Sequence, residues 1–335
     1  MQYGISLSSV PVKVSSVFCI NMYHKNAGCR DCIDICPAGA VRIGRPGTAL
    51  SIDPEFCIGC ERCVSACRYG AFQYKGLSEI QWLDSLAEKA EKGKLLLSCG
   101  KSSYGAMRLN CLSQLNAVGL LYLGIKGVRE LMLYSGNCAE CAFGNGKNFL
   151  RLQLKSLKGF SGSLEGCAIS AGNSEYIVIR FSSFPCLSSR EKKQINVSRR
   201  GFFSLFGREL ASGAFSAVDV LMEQSRESVN IGDSKKKSQR KVLFEKTISM
   251  LLPYIKKPLL FDRNIPFGTI RYSEENCDKC NLCITLCPSA ALTKTEDGVI
   301  VHESLNCTGC GVCIKACVNG CLQIEQESEY PQRLK

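Results

Sequence analysis

Three segments of this 335-residue chain place cysteines at one repeated spacing: Cys57, Cys60, Cys63 and Cys67; Cys277, Cys280, Cys283 and Cys287, followed by Pro288; and Cys307, Cys310, Cys313 and Cys317. Three thiolates within one tight loop can face three corners of a cuboidal iron-sulfur cluster, while the fourth reaches away to a neighbouring one. Runs of this kind therefore work in pairs. Crossing the fourth ligands of the C-terminal pair gives one site of Cys277, Cys280, Cys283 and Cys317, and another of Cys307, Cys310, Cys313 and Cys287.

The segment from Ser273 to Ile324 resembles the bacterial two-cluster 4Fe-4S ferredoxin family, in which each run is followed by a short helix and a hairpin joins the halves. A hairpin is accordingly expected over Ala291 to His302, turning at Glu296-Asp297-Gly298. The N-terminal pair repeats the pattern with one departure. Cys29, Cys32 and Cys36-Pro37 fill the second, third and fourth places of a run, but the first place is Asn26. Cys19, ten residues before Cys29, is expected to supply the missing corner across an inserted loop. The N-terminal sites would then be Cys19, Cys29, Cys32 and Cys67, and Cys57, Cys60, Cys63 and Cys36. His24, inside that loop, is the rival ligand. A buried free thiol at Cys19, with a three-iron or absent cluster, is the alternative.

Between the two pairs the hydrophobic pattern changes. Residues 95–99 read as a buried strand, 111–125 as a helix with Leu112, Leu115, Val118, Gly119 and Tyr122 on one face, and 128–134 as a second strand. A second helix is expected over 148–158 and a third strand over 176–181. This order predicts a small parallel α/β unit with its ligand loops at the strand ends. Cys99, Cys111, Cys138 and Cys141 fall in those loops and form a candidate fifth site, for a 2Fe-2S or 4Fe-4S cluster; zinc, a redox dithiol or buried thiols are the alternatives. Over residues 93–160 the order of cysteines and elements is distantly similar to the iron-sulfur delta subunit of methanogen hydrogenases that feeds heterodisulfide reductase. Cys167, Cys186 and Cys321 are left without assigned chemistry.

The fold class expected is therefore α+β: two ferredoxin-like two-cluster modules, 1–80 and 269–335, flanking a parallel α/β domain, 81–185, with a basic, partly helical linker, 186–268. Of the 23 cysteines, most stand at ligand spacing, which implies a reducing compartment rather than a disulfide framework. No secretory signal is apparent and no apolar stretch approaches the roughly 20 residues of a membrane span, so the expected location is cytoplasmic, free or peripheral to a membrane. The net charge of +12 is concentrated in the middle, around Arg190–Arg200 and Lys235–Lys241. That basic run reads either as a solvated connector or as a docking surface for an acidic subunit or anionic lipid. It lacks interleaved aromatics, which argues against nucleic acid. Helices are expected near Ser212–Arg226 and Val242–Ile255. Ser198 to Phe203 resembles a twin-arginine export motif, but its mid-chain position assigns it to the linker.

No dinucleotide, P-loop or nucleophile-elbow signature is present, and two histidines leave little for acid-base catalysis. The expectation is a non-catalytic electron-transfer subunit of an anaerobic oxidoreductase. It would carry four 4Fe-4S clusters and a fifth centre, and pass single electrons between a catalytic subunit and another redox protein. The rivals are an oxidoreductase whose central cysteines act on a small substrate or disulfide, and an oxygen-sensing regulatory protein.

Overall fold

The computed structural model describes residues 10–23, 27–44, 50–144, 146–161, 168–171, 176–182, 237–251, 254 and 265–325. All lie in one unit, made of Met1–Cys186 together with Lys237–Lys335. His24, Cys167, Cys186, Arg190–Arg200, the twin-arginine-like segment, the helix expected over Ser212–Arg226, and Lys235 and Lys236 lie outside the described residues.

At the N-terminal end, β1 (Val12–Val14) leads through Cys19 into α1 (Ile20–Tyr23), and α2 (Asp31–Asp34) follows within the first cysteine run. β2 (Val41–Ile43) and β3 (Leu50–Ile52) pair as a hairpin, and α3 (Arg62–Ala66) occupies the second run. β4 (Phe72–Tyr74) then returns antiparallel to β1, with Val12 opposite Tyr74. The strands are three residues long and bury a small cluster of side chains that includes Val12, Val41, Leu50, Val64 and Phe72 along with Cys19, Cys32 and Cys67.

The centre opens with α4 (Glu79–Ala87), started by a reciprocal capping box between Ser78 and Gln81. β5 (Lys94–Cys99), β6 (Met107–Leu109), α5 (Ala117–Ile125), β7 (Glu130–Tyr134), α6 (Gly146–Ser161), β8 (Ala168–Ala171) and β9 (Tyr176–Ser182) follow. They make one five-stranded sheet in the order β6-β5-β7-β9-β8. β5 is parallel to β6 and β7, but β9 runs antiparallel to β7 and to β8. The all-parallel unit expected from the sequence is thus corrected to a mixed sheet. The third strand lies where the pattern puts it, yet only four residues separate it from β8, too few for the helical crossover a parallel neighbour needs.

The linker expectation also changes. α7 (Gln239–Leu251) packs on α4 and α5, with Leu243, Phe244, Ile248 and Leu251 buried. The C-terminal end of the basic run turns inward with it: Arg240 is 2% exposed and Lys241 5%. These two residues are therefore not part of a solvated face or a docking surface. Packed against α4, α6 and α7, every residue of α5 is buried. Gly119 permits this, because a Cβ there would stand 3.3 Å from Leu83.

The C-terminal end repeats the plan of the N-terminal one. β10 (Thr269–Tyr272), α8 (Leu282–Thr285), β11 (Leu292–Lys294), β12 (Ile300–His302), α9 (Val312–Ala316) and β13 (Leu322–Glu325) follow in turn. β10 pairs antiparallel with β13, and β11 with β12. Leu292 lies opposite His302, so the hairpin has the register expected. Among the described residues no helix is long and apolar enough to cross a membrane.

Candidate metal centres

The four cysteine runs share a backbone device. Around the second cysteine of three runs, the residues before and after it both have positive φ: Gly59 and Glu61, Lys279 and Asn281, Gly309 and Gly311. The alternation coils the loop so that successive thiols turn inward. The run containing Asn26 departs here too, with Gly28 positive but Arg30 at φ −126°. Beyond the fourth cysteine the repeat is complete. Gly39, Gly70, Ala290 and Gly320 all have positive φ, and the next amide donates to the cysteine sulfur. These contacts are Ala40 to Cys36, Ala71 to Cys67, Ala291 to Cys287 and Cys321 to Cys317, at 3.2–3.3 Å. Cys321 thus stands where the other three repeats have alanine.

Within each pair of runs, thiols lie within electrostatic reach of one another. Cys32 is buried and lies within electrostatic reach of Cys67, Cys29 and Cys19, which together raise its pKa further. Cys63 likewise faces Cys60, Cys57 and Cys36, and it also senses Cys32 of the neighbouring group. At the other end, burial and then Cys310, Cys307 and Cys287 push Cys313 up to about 12. Cys283 sits beside Cys280 and Cys277, and Cys277 and Cys317 both act on Cys321. The segment following Cys19 is tied to Cys29 through a reciprocal pair: Asn21 donates to the Cys29 carbonyl at 2.8 Å and accepts from the Cys29 amide at 3.2 Å. Thiolates this close repel one another, so such donors fit a polynuclear cationic core able to hold them deprotonated.

Cys99, Cys111, Cys138 and Cys141 line one pocket at the C-terminal ends of β5 and β7, together with Arg62, Lys101, Lys147 and the start of α6. Cys99 accepts from the Gly136 amide at 3.1 Å, and Cys111 accepts from the Ser113 hydroxyl at 3.0 Å. Gly146 is required by the closeness of this packing, since a Cβ there would be 2.7 Å from the Cys111 sulfur.

Residues 27–71 and residues 269–318 each match a family of 4Fe-4S dicluster domains. The chain carries two 4Fe-4S dicluster domains. Together the matches cover less than half of it, so they define its two ends and leave the centre unassigned. The two dicluster domains indicate 4Fe-4S clusters and a role in iron-sulfur electron transfer. Short stretches are also similar to curated proteins. Over 54 residues the chain is 35% identical to the arsenate respiratory reductase iron-sulfur subunit ArrB of Shewanella sp. (strain ANA-3), covering 16% of this chain and 23% of that protein. Over 57 residues it is 39% identical to a component of the anaerobic dimethyl sulfoxide reductase of Escherichia coli (strain K12), covering 16% and 27%. Over 38 residues it is 37% identical to the protein NrfC of Escherichia coli (strain K12), covering 11% and 17%. The chain therefore spans about a quarter or less of the length of these relatives. The likeness of residues 93–160 to a delta subunit draws no support from these matches.

The dicluster domains are stitched to each other by residues that the sequence read only as part of a basic run or did not single out. Arg240 donates to the Val64 and Ser65 carbonyls of the N-terminal domain and pairs with Glu79 at 2.8 Å. Its neighbour Lys241 donates to the carbonyls of Pro266 and of Cys307 in the C-terminal domain. Lys315 reaches the Ala27 carbonyl at 3.0 Å. Tyr69 lies within electrostatic reach of both Cys29 and Cys310. On its far side, the N-terminal domain meets the central pocket: Cys60 senses Cys111, and Glu61 accepts from Asn110 and Gln114. Burial raises the Glu61 carboxyl to about 7.

Proposed function

We propose that this chain is a non-catalytic electron relay holding four 4Fe-4S clusters in its dicluster domains and a fifth iron-sulfur cluster in the central pocket. The proposed ligand sets are Cys19, Cys29, Cys32 and Cys67; Cys36, Cys57, Cys60 and Cys63; Cys287, Cys307, Cys310 and Cys313; Cys277, Cys280, Cys283 and Cys317; and Cys99, Cys111, Cys138 and Cys141. When bound, such clusters accept and return one electron at a time with little rearrangement.

The observation that carries this reading is continuity. Electrostatic reach joins Cys310 and Cys29 through Tyr69, Cys32 to Cys63, and Cys60 to Cys111, and Cys283 shares one buried cluster with Cys287, Cys307 and Cys313. These four links support a single series through the five proposed sites. Cys280, at one end, is exposed, which supports entry or exit of electrons there. The similarity to components of an arsenate reductase and a dimethyl sulfoxide reductase supports a catalytic subunit as one partner, and the second partner is a one-electron redox protein. The proposed setting is cytoplasmic, in an anaerobic oxidoreductase assembly.

Anaerobic iron and acid-labile sulfide analysis, with low-temperature electron paramagnetic resonance, tests this reading. Five clusters per chain are expected, falling to four when Cys138 and Cys141 are both replaced by serine. Equal iron in the two proteins sinks the fifth site. Multiple turnover of a small disulfide by the isolated chain sinks the non-catalytic reading.

A further inference from the structure

Arg62 lies between two members of a cysteine run, Cys60 and Cys63, yet its side chain leaves that run and enters the central pocket. It is 3% exposed. Its Nε donates to the Ser113 hydroxyl at 2.9 Å, and its Nη2 donates to the Gly144 carbonyl and stands 3.8 Å from the Cys111 sulfur. Among the described residues no carboxylate forms an ion pair with it. The contrast with Arg240 is direct, because that equally buried guanidinium has Glu79. A buried guanidinium without an opposite charge is costly, so the pocket itself must supply the negative charge.

The same sulfur is approached from other sides as well. Ser113 donates to it at 3.0 Å. Gly146, the first residue of the 16-residue helix α6, brings the positive end of that helix against it. A Cβ at Gly146 would also meet Arg62 at 3.0 Å. Arginine, thiol and helix terminus are thus packed as one unit, with one of the four pocket thiols at its centre.

From this arrangement we infer that Arg62 is a positioning residue that sets the central pocket as the electron-accepting end of the series, by holding a fixed positive charge against Cys111. The inference rests on the proposed fifth cluster. A positive charge beside a redox centre favours its reduced, more negative form. The fixed charge therefore draws an electron from the group of Cys36, Cys57, Cys60 and Cys63 toward the pocket. In that transfer one group loses one electron and the other gains it. No bond is made or broken and no proton moves. The electron originates from a low-potential one-electron donor protein, for which dithionite substitutes in the test.

The test is a redox titration of the full chain, prepared anaerobically and followed by electron paramagnetic resonance, with Arg62→Gln and Arg62→Lys beside the unaltered protein. Arg62→Gln is expected to keep its iron while the central signal becomes about tenfold less reduced at a fixed solution potential, a fall of about 59 mV for one electron. The signal of the neighbouring group, whose Cys60 the same charge also reaches, shifts by less, the other three dicluster signals stay where they were, and Arg62→Lys recovers most of the central shift. An unmoved central signal in Arg62→Gln overturns the inference, as does a shift of the Cys60 group equal to or larger than the central one. Should Arg62→Gln lose the central iron, Arg62→Lys decides: retention of iron and potential supports the role of charge, and loss of both overturns it. An unaltered protein with only four clusters would instead refute the fifth-site reading itself, and this inference with it.

Discussion

Arg240 shows how much a single buried side chain holds in place here. Paired with Glu79 and bonded to the Val64 and Ser65 carbonyls, it fixes α3 against α7. Arg240→Met leaves the Glu79 carboxylate without its charge partner and is expected to cost about 3–5 kcal/mol. Anaerobic denaturant titration reads this as a lower midpoint, and adding Glu79→Leu should restore much of it. Ala290 points the other way. It adopts φ +51° where its counterparts beyond the fourth cysteine, Gly39, Gly70 and Gly320, are glycine. Ala290→Gly removes that strain and should stabilise the C-terminal module by about 1 kcal/mol, seen as a higher thermal midpoint. Cys321 occupies the position of Ala40, Ala71 and Ala291; its amide donates to the Cys317 sulfur, and its thiol lies within hydrogen-bond reach of Cys317 and Cys277. Cys321→Ala is expected to keep all iron and to change stability by no more than about 1 kcal/mol; loss of one cluster would make it a ligand.

At the scale of elements, what the sequence disclosed was local. Ligand spacing is written in consecutive residues, so the runs, the hairpin ending at His302 and the strand ending at Cys99 could be read directly. The departure at Asn26 was visible for the same reason, and Cys19 does lie beside Cys32 and Cys67. What escaped depends on partners far along the chain. The direction of β9 is set by its hairpin with β8, and apolar alternation carries no sign of direction. The basic residues of α7 look solvated until Glu79, some 160 positions earlier, is brought beside them. Arg62 gave no hint, since a charged residue inside a ligand run is ordinarily exposed. Gly146 marks a further element-level constraint. Gly146→Ala should displace Cys111 and empty the central pocket of iron while both dicluster domains stay loaded, measured as iron per chain and by the surviving spectra.

The whole molecule divides into parts that depend on metal in different degrees. The modules at the two ends have three- and four-residue strands and thiol-rich cores, whereas the centre has a five-stranded sheet and the fully buried α5. Stripping the clusters with an anaerobic chelator should therefore collapse both ends first. Region-resolved hydrogen exchange is expected to show protection lost over residues 27–71 and 269–318 while β5, β7 and α5 keep theirs. Uniform loss would mean that the centre owes its order to the ends.

Because Arg240 and Lys241 are consecutive and serve different halves of the molecule, the beginning of α7 has no slack. Each step along a helix rotates a side chain by about 100°. A single residue inserted between them would swing one cation off its carbonyls while leaving the other seated. Length variation among natural variants should accordingly be barred from this one peptide, however freely it is tolerated elsewhere, and the phase of one helical turn governs how the two ends of the wire meet.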